Sequence, residues 1–158
     1  MGNSDVKVGC CLVILNPLGD KVLVARRKKE PDLGGFQIPG GTVDYEKGEL
    51  PHQANVREAE EETGLVIKNV RFLCLMNSFY YGTDRPIHVA FVGRAASEVI
   101  PLNPEPHKAE SWQWVPLNDL PKDKWFRMSK VAIDFYIHSQ QDPTLSPYFL
   151  DREFASLN

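Results

Sequence analysis

The alternation of apolar and polar positions along the chain predicts a series of short strands. A nearly continuous apolar, β-branched stretch fills residues 6–15 and stops at the turn-forming residues 16–20 (NPLGD), as a buried strand ending in a tight turn does. Residues 21–27 (KVLVARR) fit its hairpin partner. The same signals predict further strands or short extended segments at 36–38, 42–44, 66–81, 86–94 and 111–115.

Two helices are predicted from apolar periodicity and from their end signals. The first covers residues 50–63, because Pro51 suits a first helical turn and Gly64 suits a C-terminal cap. The second covers residues 124–139, where apolar residues recur at helical spacing on one face. Strands interspersed with two helices predict an α/β (α+β) fold with a mixed central sheet covered by helices.

Length and composition favour one globular domain over residues 1–158. A chain of 158 residues with 42% hydrophobic and 25% charged residues has ordinary globular proportions. Neither a repeat nor a long linker divides it, so the proline-marked stretch 100–108 is interpreted as a loop inside the domain. After Asp142 the periodicity is lost, and the tail 142–158 is expected either to wrap the body or to pack loosely.

Charge and cysteine content narrow the classes of partner and compartment. A net charge of −3 argues against a broad basic surface for nucleic acids, and no apolar run approaches the roughly 20 residues of a membrane helix. The first ten residues lack the order of a signal peptide. Adjacent Cys10 and Cys11 would point to opposite faces of a strand, and with Cys74 they are expected to be buried thiols. These features predict a cytoplasmic protein without membrane or nucleic-acid partners.

Acidic residues crowd the end of the first predicted helix. Glu58, Glu61 and Glu62 are three and four positions apart, so they project from one face, whereas Glu60 points elsewhere. Each carboxylate beside the negative end of a helix dipole costs roughly 0.3–1 kcal/mol, and only Arg57 is placed to offset this locally. Either these glutamates form a charged helix face exposed to solvent, or a cation binds to them. A hard divalent ion, Mg²⁺ or Mn²⁺, with oxygen ligands is the natural candidate.

A glycine turn precedes this helix and adds to the metal hypothesis. Gly40 and Gly41 end the sequence FQIPGG; alone they predict a hairpin turn, but a backbone carbonyl there could complete an oxygen shell. Residues 44–62 contain seven acidic and two basic residues, a net charge of −5, and the rest of the chain carries +2. The acidity of the chain is therefore concentrated at one predicted site.

The residues from Gly41 through Glu49 to REAEEETGL at 57–65 resemble the Nudix box. This signature belongs to hydrolases of nucleoside diphosphates linked to another moiety. The spacing of seven residues between Gly41 and Glu49 is two longer than the family's usual spacing, and Ala59 replaces the usual aliphatic residue. The segments flanking the box, including NSF at 77–79 and ESWQWV at 110–115, resemble the branch that removes oxidised or otherwise modified nucleoside triphosphates.

The resemblance implies a Nudix α/β/α sandwich with helices on both faces, and it implies roles for the box residues. Glu58 and Glu62 would be the principal ligands of Mg²⁺ or Mn²⁺, Glu61 would join directly or through water, and the Gly40 carbonyl would be a further ligand. Arg57, held by an ion pair to Glu49, would orient the carboxylates, and one carboxylate would act as the general base. The implied reaction converts a nucleoside triphosphate to the monophosphate and pyrophosphate.

Substrate-binding residues are also expected outside the metal cluster. We expect a cation near the phosphates, aromatic walls for the base and polar side chains that contact the substrate. The alternative for the aromatic residues is packing in the core, and the alternative for the charged residues is exposure to solvent at the surface. A further carboxylate near the metal is expected from Glu105 or Glu110. The substrate-binding candidates are Arg27, Phe36, Gly41, Asn77, Phe79, Glu110, Trp125 and Phe126.

Two other functions remain open on the same scaffold. The enzyme could instead cleave ADP-ribose, a nucleotide sugar or another capped diphosphate. A non-catalytic nucleotide sensor is the third reading, which the intact Glu58, Glu61 and Glu62 set argues against. A homodimer is suggested by the resemblance alone.

Overall fold

The computed structural model describes residues 7–78 and 87–150 as a mixed sheet with two helices. The strands are β1 (Val8–Leu15), β2 (Lys21–Arg26), β3 (Phe36–Gln37), β4 (Gly40–Thr42), β5 (Ile67–Asn77), β6 (Ile87–Ala95), β7 (Gln113–Pro116) and β8 (Tyr148–Leu150), and the helices are α1 (Pro51–Thr63) and α2 (Arg127–Gln141). The strand order is β3-β2-β1-β6-β5-β8, with β4 also paired to β1 and β7 to β2. Strand β1 runs parallel to β6, and β5 runs parallel to β8, whereas the other pairs are antiparallel.

The two helices cover opposite faces of the sheet, and β1 is therefore buried on both sides. Leu12 and Ile14 pack in one apolar cluster with Ala59 of α1. Their neighbour Val13 packs in a second cluster with Met128 of α2. Successive side chains of a strand alternate between faces, so α1 and α2 lie on different sides. The predicted α+β class, a mixed sheet with helices on both faces, is confirmed.

The ends of α1 follow the sequence signals. Pro51 occupies the first position, and Gly64 ends the helix with a φ of 68°, a left-handed conformation that glycine adopts without strain. The Gly64 amide donates to the carbonyl of Glu60 (2.8 Å). The last turn of α1 contains no basic residue, so the negative end of the helix dipole lies among the glutamates.

The glycine turn differs from the prediction, and part of the tail packs on the body of the domain. Residues 40–42 are not a turn but strand β4, in which Gly40 lies opposite Cys11 of β1. A side chain at Gly40 would collide with the Cys10 carbonyl, so the approach of the two backbones requires glycine. In the tail, Tyr148–Leu150 joins the sheet edge as β8, and the ring of Phe149 stacks on Phe135 with centroids 5.2 Å apart.

The three cysteines are buried free thiols, as expected. Cys10 and Cys11 belong to different apolar clusters, which places them on opposite faces of β1. Burial raises the pKa of Cys10 to about 11 and that of Cys74 to about 12, so both thiols remain protonated at neutral pH. Within residues 7–78 and 87–150, no helix is long and apolar enough to cross a membrane.

Candidate active site

Arg57 organises the acidic end of α1. Its Nε and Nη2 donate to the two carboxylate oxygens of Glu49 (2.7 and 3.0 Å), and Nη1 donates to Glu58 (2.9 Å) and Glu61 (3.1 Å). A longer bond from Nη2 reaches the Thr42 carbonyl on β4 (3.3 Å). Paired hydrogen bonds between a guanidinium and a carboxylate fix orientation as well as distance. Arg57 is therefore positioned by Glu49 and in turn positions two carboxylates.

The two extra residues before Glu49 leave this pair intact. They are accommodated by a 3-10 turn at Tyr45–Lys47, which ends at Gly48 in the left-handed conformation. Glu49 also accepts a hydrogen bond from the Asp44 amide (2.8 Å). The hydrogen bonds from Arg57, followed by that amide, lower the pKa of Glu49 to about 2, so the ion pair persists well below neutral pH.

Glu62 is a nearly buried carboxylate that faces β4. Only 5% of the residue is exposed, and its Oε2 accepts a hydrogen bond from the Gly40 amide (3.1 Å). Burial, opposed by that amide and reinforced by the charge of Glu58, raises the pKa of Glu62 to about 7. The indole of Trp112 donates to the Glu62 carbonyl (2.9 Å), which fixes this end of α1 to the segment before β7.

Glu58 lies one helical turn earlier and occupies the space that a side chain at position 41 would need. A Cβ added at Gly41 would overlap the Glu58 carboxylate, so the glycine lets this group lie against β4. The Glu58 side chain is 12% exposed. Glu58 and Glu62 thus both present oxygen atoms to the Gly40–Gly41 backbone.

The donor set fits a hard divalent cation, although the three predicted ligands do not converge. Among the described residues, no three His, Cys, Asp or Glu side chains are close enough to hold one metal ion. Glu61 is 53% exposed and is bonded to Arg57, and Glu60 is exposed on another face. The nearly buried carboxylates of Glu58 and Glu62 repel each other, and a cation would offset this cost.

A cavity of about 710 Å³ lies beside the acidic cluster. Gly40 and Gly41 line it and also contact Glu62 and Glu58, so the cavity and the acidic cluster share β4. The rest of its wall comes from β1, β3, the start of β6, the loop after β2 and the start of α2: Gly9, Cys10, Cys11, Arg27, Lys29, Glu30, Pro31, Gln37, Ile38, His88, Phe126, Met128 and Ser129.

Three of the predicted substrate-binding residues, Arg27, Gly41 and Phe126, line this cavity. Arg27 is buried, and its guanidinium lies 4.2 Å above the ring of Phe126. Its Nη1 donates to Oε1 of Gln37 (2.6 Å), and its Nε donates to the Pro31 carbonyl (2.9 Å). Arg27 therefore also builds the cavity wall, a role that the prediction of phosphate contact did not include.

The predicted aromatic walls Phe36 and Trp125 lie outside the lining of this cavity. Phe36 is buried in the core cluster, with Trp125 on one side (centroids 5.4 Å apart) and the Arg26 guanidinium 4.2 Å from its ring centroid. The indole of Trp125 donates to the Pro121 carbonyl (2.8 Å). Both rings are engaged in packing, which was the alternative considered for them. Phe79 lies outside the described residues.

The predicted polar contacts are dispersed. Asn77 ends β5, and its buried Oδ1 has no hydrogen-bond partner in the described part of the chain. Glu110 is exposed, and its amide donates to the Arg26 carbonyl (2.8 Å). Glu105 pairs with Lys108 (2.7 Å) and lies close enough to Lys29 to interact electrostatically. Of the two further carboxylates considered, Glu105 is thus the one that interacts electrostatically with a residue of the cavity wall, although it does not line the cavity itself.

Sequence reasoning missed several residues of the cavity wall. Gln37 is a buried polar residue between two apolar strand residues, a pattern that could have marked it. The imidazole of His88 lies against Gly9, where a Cβ would collide with the ring. Because β1 and β6 are far apart in sequence, only their parallel register (Gly9 opposite His88) reveals this contact. Lys29, Met128 and Ser129 are among the other lining residues that were not predicted for the site.

Comparison with known proteins identifies the family. The model of the NUDIX domain matches residues 5–135. An RNA pyrophosphohydrolase of Mesorhizobium japonicum is 36% identical over 136 residues, covering 70% of this chain and 76% of the relative. A CMP-5′-(N-acetyl-N-hydroxy-3-aminopropyl)phosphonate hydrolase of Streptomyces rubellomurinus is 30% identical over 112 residues, covering 70% of this chain. The chain spans about half (52%) of that relative's length.

A solved structure agrees in fold. The MutT NUDIX hydrolase from Burkholderia pseudomallei superimposes with a TM-score of 0.66 at 29% identity, over 81% of this chain and 95% of that one. The family model covers most of the chain and includes both the acidic helix and the glycine strand. This chain therefore belongs to the Nudix hydrolase family.

Proposed function

We propose that this chain hydrolyses nucleoside triphosphates, oxidised or otherwise modified ones included, to nucleoside monophosphate and pyrophosphate with the aid of a divalent cation. The observation that carries the proposal is the Gly40–Gly41 strand, which contacts two nearly buried carboxylates and also lines a cavity. A volume of about 710 Å³ lies in the range of small-molecule sites. The resemblance of the flanking segments to the triphosphate-removing branch supports this choice of substrate.

Glu58 and Glu62 would hold the cation, Mg²⁺ or Mn²⁺, with the Gly40 carbonyl and Glu61 as further candidates. When bound, such an ion screens the polyphosphate from the carboxylates and lowers the pKa of water. Without it, the anionic substrate would meet the carboxylates of Glu58 and Glu62 unscreened, and we therefore expect a strict metal requirement.

The residues of the chain supply position and proton transfer. Arg57, clamped by Glu49, holds Glu58 and Glu61 at the end of α1. A carboxylate of this cluster accepts a proton from the attacking water, whose oxygen forms a new bond to phosphorus. The bridging phosphorus–oxygen bond breaks, and its electron pair leaves on pyrophosphate. The glycines of β4 let the backbone of β1 and the Glu58 carboxylate lie directly against this strand.

The second candidate is hydrolysis of another nucleotide-linked diphosphate at the same site: ADP-ribose, a nucleotide sugar or a capped diphosphate. The similarity to a relative named RNA pyrophosphohydrolase adds the 5′-phosphorylated end of RNA to the candidate substrates. All these substrates share the phosphoanhydride that the acidic cluster would cleave, and they differ in what the cavity must accommodate.

The test is a product assay across a substrate panel. Purified protein is incubated with ordinary and oxidised triphosphates, ADP-ribose and 5′-triphosphorylated RNA, with Mg²⁺ or with excess EDTA. We expect pyrophosphate release from triphosphates, its loss in EDTA, and a fall of at least about 100-fold in kcat for Glu62→Gln. Glu60→Gln, an exposed carboxylate on the same helix, is the matched control and should retain activity.

Two outcomes would contradict the proposal in different ways. Full activity of Glu62→Gln or full activity in EDTA would overturn the mechanism. A preference for ADP-ribose or RNA over every triphosphate would leave the mechanism in place and select the second candidate. Circular dichroism of each variant verifies that the fold is retained.

A further inference from the structure

Four consecutive basic residues, 26–29 (RRKK), lie at the end of β2 and in the loop after it, and their surroundings differ. The guanidinium of Arg26 lies over Phe36 and pairs with Asp123 (2.6 Å). The guanidinium of Arg27 is buried in the cavity wall, as described above. The ammonium group of Lys28 donates to the Pro106 carbonyl (2.8 Å). The side chains of these three residues are therefore already engaged in contacts within the protein.

Lys29 differs from its neighbours in the run. It is exposed and lines the cavity, and within residues 7–78 and 87–150 its ammonium group has neither a hydrogen bond nor an ion pair. Its backbone position is fixed nevertheless. The Lys28 amide donates to the Lys108 carbonyl (2.9 Å), and the backbone of Arg27 forms an isolated antiparallel β-bridge with Ala109. The start of the loop after β2 is therefore hydrogen-bonded to the segment before β7.

Charges of both signs surround Lys29. Glu62 and Glu105 attract it, whereas Arg27 and Lys108 repel it. Although the residue as a whole is exposed, loss of solvent around its ammonium group and then the charge of Arg27 lower the pKa of Lys29, so its charged form is disfavoured compared with that of a lysine in water. A phosphate bound beside Lys29 would favour its charged form, because it brings negative charge to a part of the cavity wall where Lys29 and Arg27 repel each other.

We infer that Lys29 binds the phosphates that leave as pyrophosphate, on the exposed part of the cavity lining and within electrostatic reach of Glu62. Phe126, Met128 and Gln37 are less exposed lining residues and suit the nucleoside, so the polyphosphate would extend toward Lys29. Arg27 is in this scheme a positioning residue that holds Gln37 and Phe126. The inference rests on the proposed function, because it assigns a subsite for the product of that reaction.

The experiment compares Lys29→Met with Lys28→Met, which removes the same charge one residue earlier and outside the cavity. Three quantities are measured: KM for the triphosphate, and the inhibition constants of magnesium pyrophosphate and of the nucleoside monophosphate. For Lys29→Met we expect KM and the pyrophosphate constant to rise about tenfold, as for the loss of one charge-assisted hydrogen bond. The monophosphate constant should change less than about twofold. Lys29→Arg should restore pyrophosphate inhibition.

The outcomes separate this inference from the proposed function. If the wild-type protein hydrolyses triphosphates and Lys29→Met shows wild-type inhibition by pyrophosphate, Lys29 is not the subsite. Equal effects of Lys28→Met and Lys29→Met would also overturn it, because a general change of charge would then explain both. If no triphosphate is hydrolysed, the proposed function fails, and calorimetric binding of magnesium pyrophosphate to wild type and Lys29→Met tests the subsite directly.

Discussion

At the scale of single residues, one guanidinium accounts for the order of the acidic cluster. Arg57 donates to Glu49, Glu58 and Glu61. Glu62 receives its hydrogen bond from the Gly40 amide instead. The carboxylate that is most buried is thus the one that Arg57 does not neutralise, and burial raises its pKa. This asymmetry explains why a cation other than arginine is expected at Glu62.

The pair of Glu49 and Arg57 predicts a pH-dependent loss of stability. The folded-state pKa of Glu49, about 2, lies below its ordinary value of 4.5, so the pair stabilises the fold above pH 4.5, and this contribution is lost as the pH falls toward 2. We expect Glu49→Gln to lower the free energy of unfolding by about 1 kcal/mol at pH 7 and the difference from wild type to vanish near pH 2. Urea unfolding of both proteins at several pH values measures this difference in the free energy of unfolding.

The control for this prediction is Glu46→Gln in the exposed 3-10 turn next to Glu49. It removes an acidic residue close by and should leave the unfolding free energy within about 0.5 kcal/mol of wild type at each pH. A Glu49→Gln protein whose deficit stays constant from pH 7 to pH 2 would show that the ion pair is not the source of the effect.

At the scale of elements, the sequence predicted those whose signals are local. Helix α1 was found because Pro51, Gly64 and the spacing of Glu58 and Glu62 are readable along the chain. Strands β4 and β8, three residues each, have no period to detect and exist because partner strands pair with them. The cavity has the same origin: Gly9 and His88 meet only through the pairing of β1 with β6.

The attachment of β8 is testable by two adjacent substitutions. Phe149 stacks on Phe135 and packs against the core, whereas the neighbouring Tyr148 is 65% exposed. We expect Phe149→Ala to lower the free energy of unfolding by about 2 kcal/mol, less than for a fully buried phenylalanine, and Tyr148→Ala to cost less than about 1 kcal/mol. Chemical denaturation of both variants measures this. Equal, small effects would mean that β8 contributes little to the stability of the sheet.

At the scale of the whole molecule, charge is distributed unevenly around β4. Residues 44–62 carry −5, and the rest of the chain carries +2. The acidic cluster and the cavity share the Gly40–Gly41 strand, while Arg27 and Lys29 lie in the cavity wall. The proposed polyphosphate substrate would therefore lie between these two cations of the wall and the carboxylates at which a divalent ion is proposed. Composition alone gave a net charge of −3 and no hint of this separation.

This arrangement predicts that a divalent cation stabilises the folded protein even without substrate. An ion that binds only the folded state adds about 2.7 kcal/mol at 100 times its Kd, which for a domain of this size raises Tm by about 5–10 °C. We expect Mg²⁺ to produce such a shift in wild type and in Glu60→Gln, and a much smaller one in Glu58→Gln and Glu62→Gln. Scanning calorimetry at constant ionic strength, with K⁺ replacing Mg²⁺ as the control, measures the shifts. Since the assay needs no substrate, it tests the cation site separately from the reaction, and equal shifts in wild type and Glu62→Gln would place the ion elsewhere.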